Sequence, residues 1–185
     1  SYLDWPITDG RAWDLFLPTD IRQPVAVFFI HGGGWRGGSR SHMHRLMAHL
    51  TGHGFVTAST DYRLQGVTIT DQITDVRTAY AAFRQRLDTL DGPEQVVVYG
   101  ESAGAHLALL LALAAPGACG EVIPKKADAA EERRTAVDGV AVQSAPTTFE
   151  PWEDILPQIW QTMQSIVGAP YDERPDLYRA VSPIE

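Results

Sequence analysis

The feature that most constrains this chain is a serine set between two glycines, where a strand is predicted to run into a helix. Residues 96–99 read Val-Val-Val-Tyr, and residues of this kind favour a buried strand. Gly100, Ser102 and Gly104 follow, and residues 103–115 are apolar almost throughout, as is typical of a buried helix. A tight strand-to-helix turn leaves no room for side chains where the two backbones approach, so glycine is favoured on both sides of the serine. The pattern predicts a nucleophile elbow that pushes the Ser102 hydroxyl out of a sheet.

Strand and helix patterns alternate along the rest of the chain. Residues 25–30 form a continuous apolar run, which suits a strand buried on both faces of a parallel sheet. Residues 2–18 alternate loosely, as an edge strand or hairpin would. Further strands are predicted at 55–59 and 137–142, and helices at 39–52, 73–90, 103–115 and 155–167. The expected fold class is α/β, with a mostly parallel sheet and helices on both faces.

Composition limits the number of domains and the partners. A chain of 185 residues with 44% hydrophobic content is expected to form one domain, residues 1–185. Fifteen basic residues against 23 acidic ones give a net charge of −8, which argues against nucleic acid or an anionic membrane as a partner. The longest apolar run, residues 107–115, is too short to span a bilayer, and the single cysteine excludes an internal disulfide. We therefore expect a soluble protein, with a cytoplasmic location favoured.

A glycine-rich segment, His31-Gly32-Gly33-Gly34-Trp35, follows the predicted strand 25–30. Acyl transfer develops negative charge on a carbonyl oxygen, and preorganised backbone N–H groups stabilise that charge. Gly33 and Gly34 let the backbone bend toward a substrate oxygen, and the N–H of Ala103 lies at a helix N-terminus beside the serine. We predict an oxyanion hole formed by these three N–H groups. A flexible loop or a phosphate cradle is the alternative, but a phosphate loop normally continues with Lys and Ser or Thr, which this one lacks.

Five motifs together resemble one family. They are HGGGW at 31–35, DYRL at 61–64, Asp75-Val76, GESAG at 100–104 and AVSPI at 180–184. With them the chain resembles the α/β-hydrolase superfamily, and within it the hormone-sensitive-lipase-like carboxylesterases, near feruloyl-esterase-like and acetyl-xylan-esterase-like bacterial enzymes. The resemblance implies an α/β-hydrolase fold and a serine nucleophile, with His31 and Asp61 shaping the oxyanion loop. Kynurenine-formamidase-like hydrolases share much of the pattern, so an amide or formamide is the alternative substrate class.

The resemblance also implies residues that this sequence does not supply. In the family the triad runs in chain order Ser, Asp or Glu, then His, with the last two on loops after later strands. The only histidine after Ser102 is His106, on the same predicted helix, where we expect a helix-packing or surface residue rather than a base. Glu150, Glu153 and Asp154 are candidate acids after the sixth strand.

The expected function is a serine carboxylesterase that hydrolyses short-chain, aryl or carbohydrate esters, with its histidine and acid outside these residues. The alternatives are a formamidase-like amide hydrolase and a catalytically incomplete fragment or pseudoenzyme that acts by association. We expect no cofactor, because the triad mechanism needs none, and no metal, because Gly52 separates His49 from His53. Trp35 and Trp152 are candidate walls of a substrate pocket, and residues 147–180 are a candidate cap or substrate wall.

The strand predicted at 137–142 has a further consequence. In the resembled fold it is interior, and the strands that flank it carry the acid and histidine loops. Its sequence, Val-Asp-Gly-Val-Ala-Val, contains neither Lys nor Pro, the residues that discourage pairing at an exposed edge. We therefore expect this edge to pair with a second copy of the chain or with a complementary C-terminal fragment.

Overall fold

A computed structural model of the protein describes residues 2–7, 11–121 and 135–184. The strands are β1 Tyr2–Pro6, β2 Ala12–Phe16, β3 Val25–Ile30, β4 Thr57–Thr60, β5 Gln95–Glu101 and β6 Gly139–Gln143. The helices are a 3-10 turn Arg40–Met43, α1 His44–Gly52, α2 Ile69–Thr89, α3 Ala103–Leu113, α4 Pro157–Val167 and α5 Pro175–Ala180. No helix within those described ranges is both long and apolar enough to cross a membrane.

The strands form one six-stranded sheet in the order β1-β2-β4-β3-β5-β6. The first two strands form an antiparallel hairpin, and β2 also runs antiparallel to β4. All other pairings are parallel. The predicted α/β class is confirmed, and of the edge strand or hairpin predicted at the N-terminus the structure shows a hairpin at the sheet edge.

The central strand β3 is buried on both faces, as its continuous apolar sequence predicts. Phe28 points to the side of α2, where its ring packs against Tyr80 and Phe83. Phe29 belongs to a second cluster on the opposite face, in which Met43 and Met47 also lie. The side chains alternate because successive residues of a strand face opposite sides of the sheet. Helices therefore cover both faces, and the carboxyl ends of β3 and β5 lie side by side.

Several helix boundaries and faces differ from the sequence prediction. Helix α2 begins at Ile69 rather than near 73, because the Asp71 carboxylate accepts the Thr68 N–H at 2.9 Å and so caps the helix. Helix α4 begins at Pro157, which suits a first helical turn. Leu46 of α1 and Ile159 of α4 are apolar, yet they are 37% and 42% exposed.

Candidate active site

Ser102 occupies the turn between β5 and α3 with φ 54° and ψ −119°, a backbone conformation that residues with a side chain rarely adopt. Such strain costs on the order of 1–3 kcal/mol and persists only where the surroundings enforce it. The enforcing contacts involve both flanking glycines. A Cβ on Gly100 would lie 2.6 Å from the Ala105 nitrogen, and one on Gly104 would lie 2.7 Å from the His31 carbonyl carbon. The two glycines are therefore required for β3, β5 and α3 to approach each other.

Backbone hydrogen bonds hold the serine from two sides. The Ser102 N–H donates to the Gln143 carbonyl of β6 at 2.8 Å, and the His106 N–H donates to the Ser102 carbonyl at 3.1 Å. The Ser102 residue itself is only half-buried. Within the described part of the chain, its hydroxyl makes no hydrogen bond. The backbone of the serine is thus fixed while its Oγ is left available.

The loop that follows β3 lies directly against this turn. A Cβ on Gly32 would lie 2.7 Å from the Glu101 carbonyl oxygen and 3.3 Å from Ser102 Cβ. Gly33 and Gly34 have φ values of 127° and 60°, which glycine adopts without strain. A turn closes the loop, since the Gly37 N–H donates to the Gly33 carbonyl at 3.0 Å. The loop therefore brings its glycine backbone next to Ser102.

The three N–H groups predicted to form the oxyanion hole are not used in the fold. Those of Gly33, Gly34 and Ala103 find no protein acceptor among the residues that the structure describes. The N–H of Ala103 is free because it belongs to the first turn of α3, where no intrahelical partner exists. All three stand on the two backbone segments that meet at Ser102.

His31 is completely buried and supports the loop from within. Its ring stacks on Tyr62 with centroids 4.4 Å apart, and its Nδ1–H donates to the Gly32 carbonyl at 2.8 Å. The Tyr62 hydroxyl donates to the His31 carbonyl at 2.9 Å. Burial lowers the pKa of His31, so the imidazole is neutral at pH 7. His31 therefore fixes the start of the loop through its ring and its backbone carbonyl.

Asp61 fixes the other end of the same loop. Its carboxylate accepts the Arg40 backbone N–H at 2.8 Å and also pairs with the Arg40 guanidinium. Arg40 Nε lies 2.9 Å from Asp14 on β2, whose carboxylate also contacts His44 Nε2 at 2.6 Å. Asp61 and Tyr62 are adjacent in sequence, so the end of β4 anchors both ends of residues 31–40.

His106 is buried and packs against its surroundings, the first of the two non-catalytic placements that the sequence allowed. Its Nε2–H donates to the Val181 carbonyl at 2.7 Å, and its Nδ1 accepts from Trp35 Nε1 at 3.3 Å. Its ring also stacks on Phe149 at 4.5 Å. Burial lowers the pKa of His106 to about 4. Both ring nitrogens are occupied, so His106 is not placed to activate Ser102.

The pocket role predicted for Trp35 was wrong, because its side chain is 4% exposed and belongs to the hydrophobic core. His106 and Phe149 enclose its ring, and Gln72 Nε2 donates to its carbonyl at 2.7 Å. No sequence signal marked Gln72 for this contact. Trp152, by contrast, is 43% exposed.

The candidate acids and metal ligands form no constellation around the serine. Glu150 accepts hydrogen bonds from the Tyr171 hydroxyl at 3.1 Å and from Arg179 Nε at 2.9 Å, which are structural contacts. Glu153 and Asp154 are exposed. In residues 2–7, 11–121 and 135–184, no three His, Cys, Asp or Glu side chains are grouped as a metal site would require.

Comparison with known families agrees with this geometry. Residues 13–185 match the model of the BD-FAE family, which is nearly the whole chain. The chain belongs to the BD-FAE family. This BD-FAE member is 35% identical over 116 residues to a probable isoprenylcysteine alpha-carbonyl methylesterase, ICME, of Oryza sativa subsp. japonica. It is 29% identical over 167 residues to the esterase LipQ of Mycobacterium tuberculosis.

Solved structures place the BD-FAE member in the α/β-hydrolase fold. Esterase 2 of Thermogutta terrifontis, phosphonylated by sarin, has a TM-score of 0.75 and 21% identity, and the match covers 95% of this chain. The butyrate-bound form of the same esterase gives a TM-score of 0.71. The predicted fold family is confirmed.

The BD-FAE member spans only part of each of these proteins. The match covers 28% of the rice methylesterase and 38% of LipQ, which it matches with 60% and 88% of its own length. It covers 62% of the sarin-treated esterase chain.

Proposed function

We propose that this protein is a serine carboxylesterase that works through an acyl-serine intermediate. The observation that carries the proposal is the strained turn at Ser102, with three unused backbone N–H groups on the segments that meet there. A strained serine beside free N–H donors is the arrangement that acyl transfer requires. The esterase and methylesterase relatives support the same chemistry.

In the proposed mechanism, Ser102 Oγ attacks the ester carbonyl carbon, and the carbonyl oxygen becomes an oxyanion. The N–H groups of Gly33, Gly34 and Ala103 donate to that oxyanion. The tetrahedral intermediate expels the alcohol, and water then releases the acid from the acyl-serine. A histidine with its acid takes the Ser102 proton and passes it to the leaving alcohol. We assign both groups to polypeptide outside residues 1–185, because His106 is held by Val181 and Trp35.

The test is made with the protein at its full natural length. Replacing Ser102 by alanine should abolish hydrolysis of p-nitrophenyl butyrate and labelling by a fluorophosphonate, while Ser41→Ala, at an exposed residue before α1, should retain both. Hydrolysis that survives Ser102→Ala would reject the proposed nucleophile. A wild-type protein labelled no faster than free serine would instead favour the pseudoenzyme, because an unactivated hydroxyl reacts slowly.

Within esterase chemistry, we propose short-chain, aryl or carbohydrate esters as substrates. The butyrate-bound and propionate-bound structures of the Thermogutta esterase favour short acyl groups. Parallel assays on acetyl, feruloyl and N-formyl substrates would rank these classes. A clear preference for the N-formyl amide would overturn the assignment as an esterase.

We also propose that residues 1–185 form one domain, in which residues 147–180 contribute a wall beside the serine. Phe149 is fully buried against Trp35 and His106, which ties this segment to the loop that carries Gly33. Trp152 projects from the same segment and is our candidate for contact with the substrate. Replacing Trp152 by alanine should raise KM for aryl esters more than for acetyl esters.

The edge strand β6 is our candidate partner surface. It pairs only with β5 in the described sheet, and its residues 141–143 are exposed. Val142 is 41% exposed and Leu113 of α3 is 63% exposed, so apolar side chains accompany the open backbone groups. We propose that further strands of the same fold cover this edge, because the matched esterase chains are longer than this one.

Size-exclusion chromatography with light scattering tests the proposed pairing. Residues 1–185 alone should self-associate, and addition of the polypeptide that follows them should return a single stoichiometric complex with esterase activity. A stable monodisperse monomer of about 20.3 kDa would overturn the pairing. A persistent homodimer would assign the edge to a second copy instead.

A further inference from the structure

A polar cavity lies beside the glycine loop and plays no part in the mechanism above. Its volume is about 320 Å³. Residues of the loop after β4 and of α4 form most of its walls. The lining residues that matter here are Arg36, Leu64, Gln65, Thr68, Ser165 and Ile166.

Arg36 links this cavity to the candidate oxyanion hole. Its backbone N–H donates to the Gly33 carbonyl at 3.2 Å, so it is part of the turn that carries Gly33 and Gly34. Gln65 Nε2 donates to the Arg36 carbonyl at 3.3 Å, which joins the cavity wall to the same turn. A group bound in the cavity would therefore sit next to the loop that receives the ester carbonyl.

The Arg36 guanidinium is not neutralised by the described residues. It donates to the Ser165 hydroxyl and contacts no carboxylate in that part of the chain. Arg40 and Arg77, in contrast, are each paired with a carboxylate. The protein has a net charge of −8, so its carboxylates outnumber its basic side chains. An arginine without a carboxylate partner at a cavity wall can bind an anionic group of a ligand.

The residues that line the cavity include no carboxylate, and Asp71, three positions after the lining residue Thr68, is already engaged. Asp71 accepts from the Thr68 N–H at 2.9 Å and from the Thr68 hydroxyl at 3.0 Å, and it lies 3.4 Å from Arg63 NH1. The Asp71 carboxylate therefore caps the start of α2 and pairs with Arg63. The Ser165 hydroxyl accepts from Arg36 and keeps its own proton for donation to a ligand oxygen.

We propose that this cavity is a subsite for a carboxylate carried by the ester substrate, with Arg36 as its cation. The inference rests on the proposed esterase function and names the substrate class as acidic esters, such as half esters of dicarboxylic acids. A guanidinium binds a carboxylate through two parallel N–H donors, which gives direction as well as charge.

The test compares an acidic and a neutral ester of matched length, p-nitrophenyl hydrogen succinate and p-nitrophenyl butyrate, in the full-length protein. Arg36→Gln should lower the ratio of their kcat/KM values by roughly three- to fivefold, the upper end expected for an ion pair with an exposed arginine. Arg36→Lys should restore part of the ratio. High salt should lower the ratio in the wild type, because exposed charges are screened. A nitrophenyl butyrate with a carboxylate on its ring tests the alcohol side in the same way.

Two control variants separate recognition from other effects. Arg45→Gln removes the same charge from an exposed position of α1 and should leave the ratio within about twofold. Ser165→Ala removes the contact that ties Arg36 to α4 and should lower the ratio less than Arg36→Gln does. If Arg45→Gln lowered the ratio as much as Arg36→Gln, the effect would come from the overall charge of the protein. If Ser165→Ala did so, Arg36 would have a structural role. Either result would overturn the subsite.

Binding to Ser102→Ala, measured by calorimetry with p-nitrophenyl hydrogen succinate, separates this inference from the proposed function. We expect saturable binding that Arg36→Gln weakens by a similar factor. If binding does not depend on Arg36, the subsite is overturned even in an active esterase. If Arg36-dependent binding persists but wild-type protein hydrolyses neither ester, the subsite stands as an anion site and the esterase function is rejected.

Discussion

Substituting Gly104 by alanine adds one methyl group at the closest approach of β3 and α3. A Cβ there would lie 2.7 Å from the His31 carbonyl carbon, and closer still to the carbonyl oxygens of Ile30 and His31. Carbon atoms in comfortable contact are about 3.5–4.0 Å apart, so the helix and the strand must separate by about 1 Å. All the crowded atoms are backbone atoms, which cannot rotate away.

The expected cost has two parts of opposite sign. Alanine is a better helix former than glycine by about 1 kcal/mol, which favours the variant. Overpacking of this kind typically costs about 1–3 kcal/mol, and the rigid backbone places this site at or above the upper end of that range. We expect the free energy of unfolding to fall by about 2 kcal/mol or more on balance.

The effect on chemistry should be larger than the effect on stability. The separation moves the loop that carries Gly33 and Gly34 away from Ser102, and a misplacement of about 1 Å can reduce a rate by about 100-fold. Urea unfolding measures the first quantity, and the rate of fluorophosphonate labelling measures the second. Gly52→Ala is the matched control, because a Cβ at Gly52 meets no atom within 4 Å. Wild-type stability and labelling in Gly104→Ala would refute the reasoning.

Three further predictions concern buried groups. Tyr62→Phe removes the hydroxyl that donates to the His31 carbonyl at 2.9 Å, so urea unfolding should show a loss of about 1–2 kcal/mol and Ser102 labelling should slow. The pKa of His106 falls from 6.5 to about 4 on folding, so the unfolded chain binds more protons between these values, and the free energy of unfolding should decrease as pH drops through that window. His106→Gln should flatten this dependence; an unchanged slope would show that other groups control it. Burial raises the pKa of the Cys119 thiol to about 11, so iodoacetamide should modify it only under unfolding conditions, and rapid alkylation of the native protein would contradict the burial.

The sequence predicted best where the backbone admits few residue types. Gly32, Gly33, Gly100 and Gly104 are required because other backbone atoms fill the space of a Cβ, so their positions can be read directly from the sequence. At Gly34 that space is open, and glycine is favoured there by the φ of 60°. The buried strand β3 could also be predicted from the sequence, since a strand covered on both faces has no polar positions.

The errors arose where partners distant in sequence decide the outcome. Trp35 was a candidate pocket wall, yet His106, Phe149 and Gln72 enclose it. Trp35 and Phe149 are 114 positions apart in the sequence. The sequence also did not predict that Asp61 and Tyr62 hold opposite ends of the loop at residues 31–40. The motif DYRL marked these residues, but only the fold shows which atoms they hold.

The hydrogen bond from the Ser102 N–H to Gln143 has a thermodynamic consequence. Edge strands open more readily than central ones, and the nucleophile takes part of its backbone position from such a strand. A polypeptide that docks on β6 and a covalent adduct on Ser102 would both favour the closed, ordered form of this strand. By linkage, the docked polypeptide and any reversibly bound ligand of Ser102 would then increase each other's affinity by the same factor. Ligand affinity at Ser102 would thus depend on whether β6 is covered, and polypeptide affinity at β6 would depend on whether Ser102 is occupied.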